Sequence, residues 1–259
     1  MENKYIENWD FFFTEIAENP ASISLDLGLN RIAPVKESPV LLTAEIEMKD
    51  PQDNGLSSKS ESEKLFEIED TLHDELVKLP GSIKAGRVTT DGARLLYYYV
   101  SNGPEAKKAA KSALKKFSSY AADIYTENDA KWDKYKEYLY PSGYEMHTIM
   151  NRHVVENLRS KGDDLSIPRE VDHYIFFSTE SGKSAFLNSA EKLGYKKTSE
   201  RVNDKNTEHP ITLRVTRTDA VEYNEVCDYT SELYDLAEEH DGVYDGWETR
   251  LVTPEKAAK

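Results

Sequence analysis

Apolar and polar positions alternate along residues 171–177, placing Val171, His173, Ile175 and Phe177 on one face of a predicted strand. A helix over about 182–193 and a strand over 195–201 follow, and residues 203–210 read as a turn. Ile211, Leu213 and Val215 then alternate against Thr212, Arg214 and Thr216, predicting another strand. A helix lies between Asp219 and Asp241, and a last strand covers 243–252. Strand-helix-strand twice over is the order of a ferredoxin-like βαββαβ sandwich, an α+β fold whose antiparallel sheet carries both helices on one face.

The first half repeats this order with different residues, so the chain reads as two tandem ferredoxin-like sandwiches joined by a helix. Residues 40–48 form the first strand of the unit. Ser60 and Glu63 make a capping box for a helix with an apolar stripe of Leu65, Ile68, Leu72, Leu76 and Leu79, ended by Pro80-Gly81. Strands over 83–89 and 94–100 flank Thr90-Asp91-Gly92 as a hairpin. Pro104 opens an Ala- and Lys-rich helix to about residue 121, an extended segment covers 132–140, and a further strand or hairpin lies between Trp9 and Gly28. Tyr140-Pro141-Ser142-Gly143 punctuates the chain, which sets an N-terminal domain over 1–143, a connecting helix and linker over 144–164 and a C-terminal domain over 165–259. Met146, Ile149, Met150, His153 and Leu158 give the connecting helix an apolar stripe expected to bury between the halves, and a short polar linker follows over 163–169.

Charge narrows the function classes. The 259 residues carry a net charge of −15, and both halves are acidic: residues 1–143 hold 18 basic and 25 acidic groups, 144–259 hold 15 and 23. Such a surface repels phosphate backbones, so direct nucleic-acid binding is not expected and basic proteins or cations are favoured. Sixteen Tyr and eight Phe still supply enough apolar area for a core. The single Cys227 rules out an internal disulfide or a cysteine-rich zinc site. No stretch approaches the roughly 20 apolar residues of a membrane span, and no basic region leads an apolar one near the N-terminus, so a cytoplasmic protein is expected.

The acid is concentrated in one place. At about 100° per residue, Glu225, Asp228, Glu232, Asp235 and Glu239 share one side of the 219–241 helix, with Val226, Tyr229, Leu233 and Ala237 toward the other. No Lys or Arg lies in that segment, so a buried carboxylate stripe would lack local partners and these groups should face water or a basic partner.

Other motifs have plainer readings. Ser181-Gly182-Lys183-Ser184 has Phe177 where a phosphate-binding loop needs its first Gly, so it is a polar helix start. The stretch from Asp50 to Gly55 with Glu61 imitates a calcium loop, but Gln52 breaks the ligand pattern and a strand precedes it. Tyr97-Tyr98-Tyr99 lacks the basic and Gly neighbours of an RNA-stacking strand and reads as core. Lys107, Lys108, Lys111, Lys115 and Lys116 form a basic helix face, solvated or docked on the acidic helix. The six histidines show no helical zinc spacing, and neither metal nor cofactor is expected. His173 reads as a structural histidine within the sheet. The competing reading makes it a general base beside Asp245, since first and last strands are neighbours in this sandwich.

Pro168-Arg169-Glu170-Val171-Asp172-His173-Tyr174, Gly194-Tyr195 and Tyr244-Asp245-Gly246-Trp247-Glu248 form a recognisable set. Over about 165–252 the chain resembles the regulator of ribonuclease E activity B (RraB) family, the Tyr-Asp-Gly-Trp-Glu string being the most specific part, with His173, Tyr174, Tyr244, Gly246 and Glu248 as motif residues. The first 140 residues resemble an uncharacterised bacterial domain fused ahead of such regulators, on Trp9, Phe12 and the strand from Leu95 to Val100. The resemblance implies a small acidic bacterial protein that binds ribonuclease E and inhibits RNA processing without acting on RNA itself. Glu225, Asp228, Glu232, Asp235 and Glu239 would then supply charge to a basic segment of ribonuclease E or another ribonuclease, with Asp245 and Trp247 shaping an adjoining edge. The alternatives are a hydrolase or nuclease using His173 and Asp245 in an interdomain cleft, and an immunity or nucleic-acid-mimic protein; self-association stays open.

Overall fold

A computed structural model describes residues 5–203 and 208–253. The chain forms two compact units, Met1–Glu145 and Met146–Lys259.

The first unit is one antiparallel sheet with two helices. Its elements are β1 (Trp9–Ile16), β2 (Asn19–Asp26), β3 (Val40–Glu47), α1 (Lys59–Leu76), β4 (Ile83–Thr90), β5 (Ala93–Val100), α2 (Gly103–Leu114) and β6 (Ala122–Asn128). The strand order β1-β2-β4-β5-β3-β6 contains the ferredoxin-like set β4-β5-β3-β6, widened by the β1–β2 hairpin. Asp91 and Gly92, at φ 46° and 73°, make the tight turn whose twist matches the flanking strands. Leu65, Ile68, Leu72 and Leu76 bury the α1 stripe against Leu42, Ala44, Ile46, Leu96 and Tyr98, with Ala106, Ala110 and Ala113 from α2.

Three local expectations change here. Ser58, not Ser60, caps α1: its hydroxyl accepts from the Glu61 N–H at 3.2 Å while the Glu61 carboxylate accepts from the Lys49 N–H at 3.1 Å, since the helix already begins at Lys59. The Lys-rich helix stops at Leu114 and gives way to β6, an edge strand burying little but Ile124 and so lacking an alternating signature. Residues 132–140 are not extended. Lys134–Leu139 is a wide π-type helical turn beside Trp132, whose ring stacks on Tyr99 at 3.9 Å and whose indole N–H donates to the Ser38 carbonyl. Aromatic burial rather than strand pairing sets that segment.

The second unit contains α3 (Gly143–Ser160), whose first residues belong to the first unit, then β7 (Arg169–Phe177), α4 (Glu180–Lys192), β8 (Lys196–Val202), β9 (Ile211–Asp219), α5 (Tyr223–Glu239) and β10 (Gly242–Thr249). Its antiparallel order β10-β7-β9-β8 is that of a ferredoxin-like sandwich. Of the expected 203–210 turn, residues 204–207 lie outside the described residues. Ile175, Phe177, Leu213 and Val215 meet Phe186, Ala190, Leu233 and Ala237 in one cluster. In the other, Val155 and Leu158 of α3 pack with Leu165, Val171, Val226 and Tyr229. Met150 and His153 of the expected α3 stripe are exposed, and Val155 is buried instead. The 163–169 segment is wrapped around the buried Arg169 guanidinium, which donates to both oxygens of Asp163 at 2.8 and 2.7 Å and to the Ile167 carbonyl at 3.0 Å. Among the described residues, no helix is long and apolar enough to cross a membrane.

Candidate functional site

Val226, Tyr229, Thr230, Leu233 and Ala237 turn one side of α5 into the core, which forces the opposite side outward. Glu225, Asp228, Glu232, Asp235 and Glu239 are all exposed there. Glu232 alone of the five has an ion pair among the described residues, with Arg217 at 3.6 Å. No basic residue occupies the last turn of α5, where the helix dipole is negative, and Glu222 at its start makes no side-chain cap. An acid in that turn destabilises the helix by about 0.3–1 kcal/mol, so helix stability does not account for Glu239.

The Tyr244–Glu248 string lies on β10, an edge strand paired to β7. A bulge between Tyr244 and Gly246 leaves Asp245 exposed at the kink, with Gly246 at φ 146°, a conformation other residues rarely adopt. On either side of the kink the string is fastened inward. The Tyr244 hydroxyl lies 2.9 Å from His173 Nδ1, and the Trp247 indole N–H donates to Asn151 Oδ1 at 2.8 Å. Asn151 Nδ2 donates to Thr230 Oγ1 at 2.8 Å, and that hydroxyl donates to the Val226 carbonyl at 2.7 Å, so one chain of bonds ties β10, α3 and α5. Tyr174 donates to Glu248 across the β7–β10 pair. The half-buried Trp247 is thus tied inward, while Asp245 and Glu248 are the exposed members of the string, Glu248 being engaged by Tyr174.

His173 and Asp245 are not brought together. His173 is sealed within Tyr195, Tyr229 and Tyr244, with ring centroids 5.5 to 6.1 Å away. Burial, helped by the Arg217 charge, pushes its imidazole down to about 3, and Nε2 has no hydrogen-bond partner. A neutral ring closed off from solvent has no route to a substrate proton. His147 packs edge-on to Tyr234 and Tyr244, and burial lowers its imidazole despite the opposing field of Asp245. Sequence reasoning missed Asn151, Thr230 and Arg217; a polar Asn on the apolar side of an amphipathic helix was the available signal.

The remaining motifs take the plainer roles. Lys183 pairs with Glu180 and Glu200 at 2.5 and 2.8 Å while Thr179 caps α4, so its ammonium serves the fold. Tyr97, Tyr98 and Tyr99 are all buried, which leaves no open stacking platform. Lys108, Lys111, Lys115 and Lys116 are exposed.

Residues 7–140 match the model of a family of unknown function, DUF695, and residues 148–249 match Regulator of ribonuclease activity B. The second match takes in most of α3 along with the sandwich. No curated protein matches the chain significantly. A crystal structure of an unknown protein from Galdieria sulphuraria aligns over 82% of this chain and 98% of its own at 11% identity, with a TM-score of 0.23, too low to equate the two folds.

Proposed function

Because the chain belongs to DUF695 through just over half its length and carries the ribonuclease-regulator match in its second unit, we propose that it is a non-catalytic regulatory protein of the bacterial cytoplasm. Its second unit binds a basic segment of a ribonuclease, ribonuclease E or a counterpart, and lowers RNA processing. The carrying observation is the α5 face, where five carboxylates are exposed and four have no ion pair among the described residues. Because Glu239 works against its own helix and four of the five acids have no ion pair among the described residues, an external partner gives the face a use. Arginine side chains suit it through charge-assisted bonds that steer and specify more than they tighten. Asp245, exposed at the β10 kink, adds negative charge, and the Trp247–Asn151 and Asn151–Thr230 bonds tie β10 to α3 and α5.

Binding of the full chain to purified ribonuclease E, measured across salt concentrations, tests this. Replacing Glu225, Glu232 and Glu239 by Gln and Asp228 and Asp235 by Asn should weaken binding by about 5- to 5,000-fold at low salt, from about 0.2–1 kcal/mol per exposed pair. The salt dependence should flatten as well. Equal affinity of variant and wild type at low salt rejects this surface.

A further inference from the structure

Two helices cover a sheet six strands wide, so part of one sheet face is left open. Register shows what lies on it. Phe13 is opposite Ser22, Ser22 opposite Thr89 and Thr89 opposite Arg94, and directly opposed residues point to the same face. The next row is Phe11, Ser24, Arg87 and Leu96, running from open ledge to the core under the helices. Phe66 and Ser62 of α1 wall one side, and Gln52, Leu56 and Ser57 close the hollow, which measures about 410 Å³.

In this acidic protein, the hollow is cationic at its floor. Glu69 receives Lys84 at 2.6 Å and Arg87 at 3.2 and 3.3 Å, and Arg94 Nη1 stands 3.7 Å away. Three cations therefore share one carboxylate; Glu61, which also acts on Arg94, is engaged by the Lys49 N–H. Arg94 is 3% exposed, and its Nη1 makes no hydrogen bond although its Nε donates to Thr89 Oγ1 at 3.1 Å. Burial and the neighbouring Arg87 push its guanidinium down to about 10, the direction expected of a cation short of counter-charge. Both guanidiniums rest near the Phe66 ring, at 4.7 and 4.9 Å. Phe13 and Phe11 are 63% and 39% exposed at the rim, an arrangement that buries neither ring in the protein's own core.

We propose that this hollow is a small-molecule site for a single oxyanion carried on an apolar ring, the oxyanion held by Arg94 and Arg87 and the ring by Phe11, Phe13 and Phe66. A guanidinium fork matches carboxylate and phosphate alike, hydroxyls of Ser22, Ser62 and Thr89 line the same space, and the volume is that of small-ligand pockets. This site is independent of the α5 surface, so either can fail without the other.

Calorimetric titration of the full chain with benzoate and with phenyl phosphate separates carboxylate from phosphate, with benzyl alcohol and inorganic phosphate as controls. One or both ring-bearing anions should bind, at least about tenfold more tightly than either control. Ser62→Glu, which sets a carboxylate in the hollow, and Phe13→Ser at the exposed rim should each weaken that binding by about tenfold or more in a chain with unchanged circular dichroism. Arg94→Lys should weaken it while keeping the charge, because the fork is lost. Absence of binding by both ring-bearing anions at about 10 mM, equal binding by benzyl alcohol or by inorganic phosphate, or indifference to Ser62→Glu and Phe13→Ser would each overturn the assignment.

Discussion

His173 gives the second unit an acid sensitivity that can be worked out in advance. Its imidazole titrates at about 3 in the folded protein, mainly because burial disfavours the cation and secondarily because of Arg217, against about 6.5 in an unfolded chain. The folded value is the lower one, so on acidification the unfolded chain takes up this proton first. The stabilisation is present above about pH 6.5 and is lost progressively as pH falls toward about 3. At pH 5 the unfolded state has gained about 2 kcal/mol from this one group, and the loss between pH 7 and pH 5 is nearly all of that. For a unit of this size it amounts to a fall of about 10 °C in melting temperature. His147, also lowered by burial, pushes in the same direction, so the informative comparison is between wild type and His173→Gln. The variant lowers stability at pH 7 by losing the Tyr244 contact and the ring packing. Its further loss between pH 7 and pH 5 should nevertheless be smaller than the wild type's by about 2 kcal/mol. Scanning calorimetry of the full chain at the two pH values measures this difference, and histidine ring NMR reads the titration directly. Parallel losses in wild type and variant, or a His173 resonance titrating near 6.5, would refute the reasoning.

Further outcomes follow from the buried polar contacts. Asp163→Asn leaves the Arg169 guanidinium without its counter-charge at a site where both side chains are 0% exposed, and should cost about 3–5 kcal/mol in urea unfolding. Asn151→Ala removes the acceptor of the Trp247 indole and a donor to Thr230; because Trp247 is only half-buried, about 1–3 kcal/mol is expected, with a red shift of its fluorescence as water reaches the indole.

Local pattern carried the second unit almost whole, because each of its inner strands buries alternate residues and each helix one stripe. Val171, Ile175 and Phe177 face the core as the alternation requires, and the exposure of the five α5 acids follows from the same 100° spacing that buries Val226 and Leu233. In the first unit the pattern failed where burial is sparse or aromatic. β6 buries little but Ile124, leaving no periodicity to read, and the Trp132 segment looks strand-like in composition while its rings in fact clamp Tyr99 and neighbouring aromatics. The roles within the Tyr244–Glu248 string were beyond local reading for a different reason. Trp247 and Asn151 lie 96 residues apart, and no periodicity encodes such a pairing.

One sandwich order thus yields two different surfaces, and the difference comes from what is added to it. In the first unit a hairpin extends the sheet past its helices, so residues that would otherwise lie under a helix line an open hollow with guanidiniums at its base. In the second unit the described residues add no strand; the sheet ends at β10, a bulge leaves Asp245 exposed, and α5 gives up end-charge stability at Glu239 while presenting carboxylates. A net charge of −15 draws cationic partners to the whole chain but does not by itself choose where they dock. The choice comes from local departures from that average: an anion entering the hollow meets the sign opposite to the protein's overall field, and a basic peptide on α5 meets that field at its densest. Raising salt should therefore weaken peptide binding on α5 more steeply than anion binding in the hollow, where Arg94 is shielded from solvent ions.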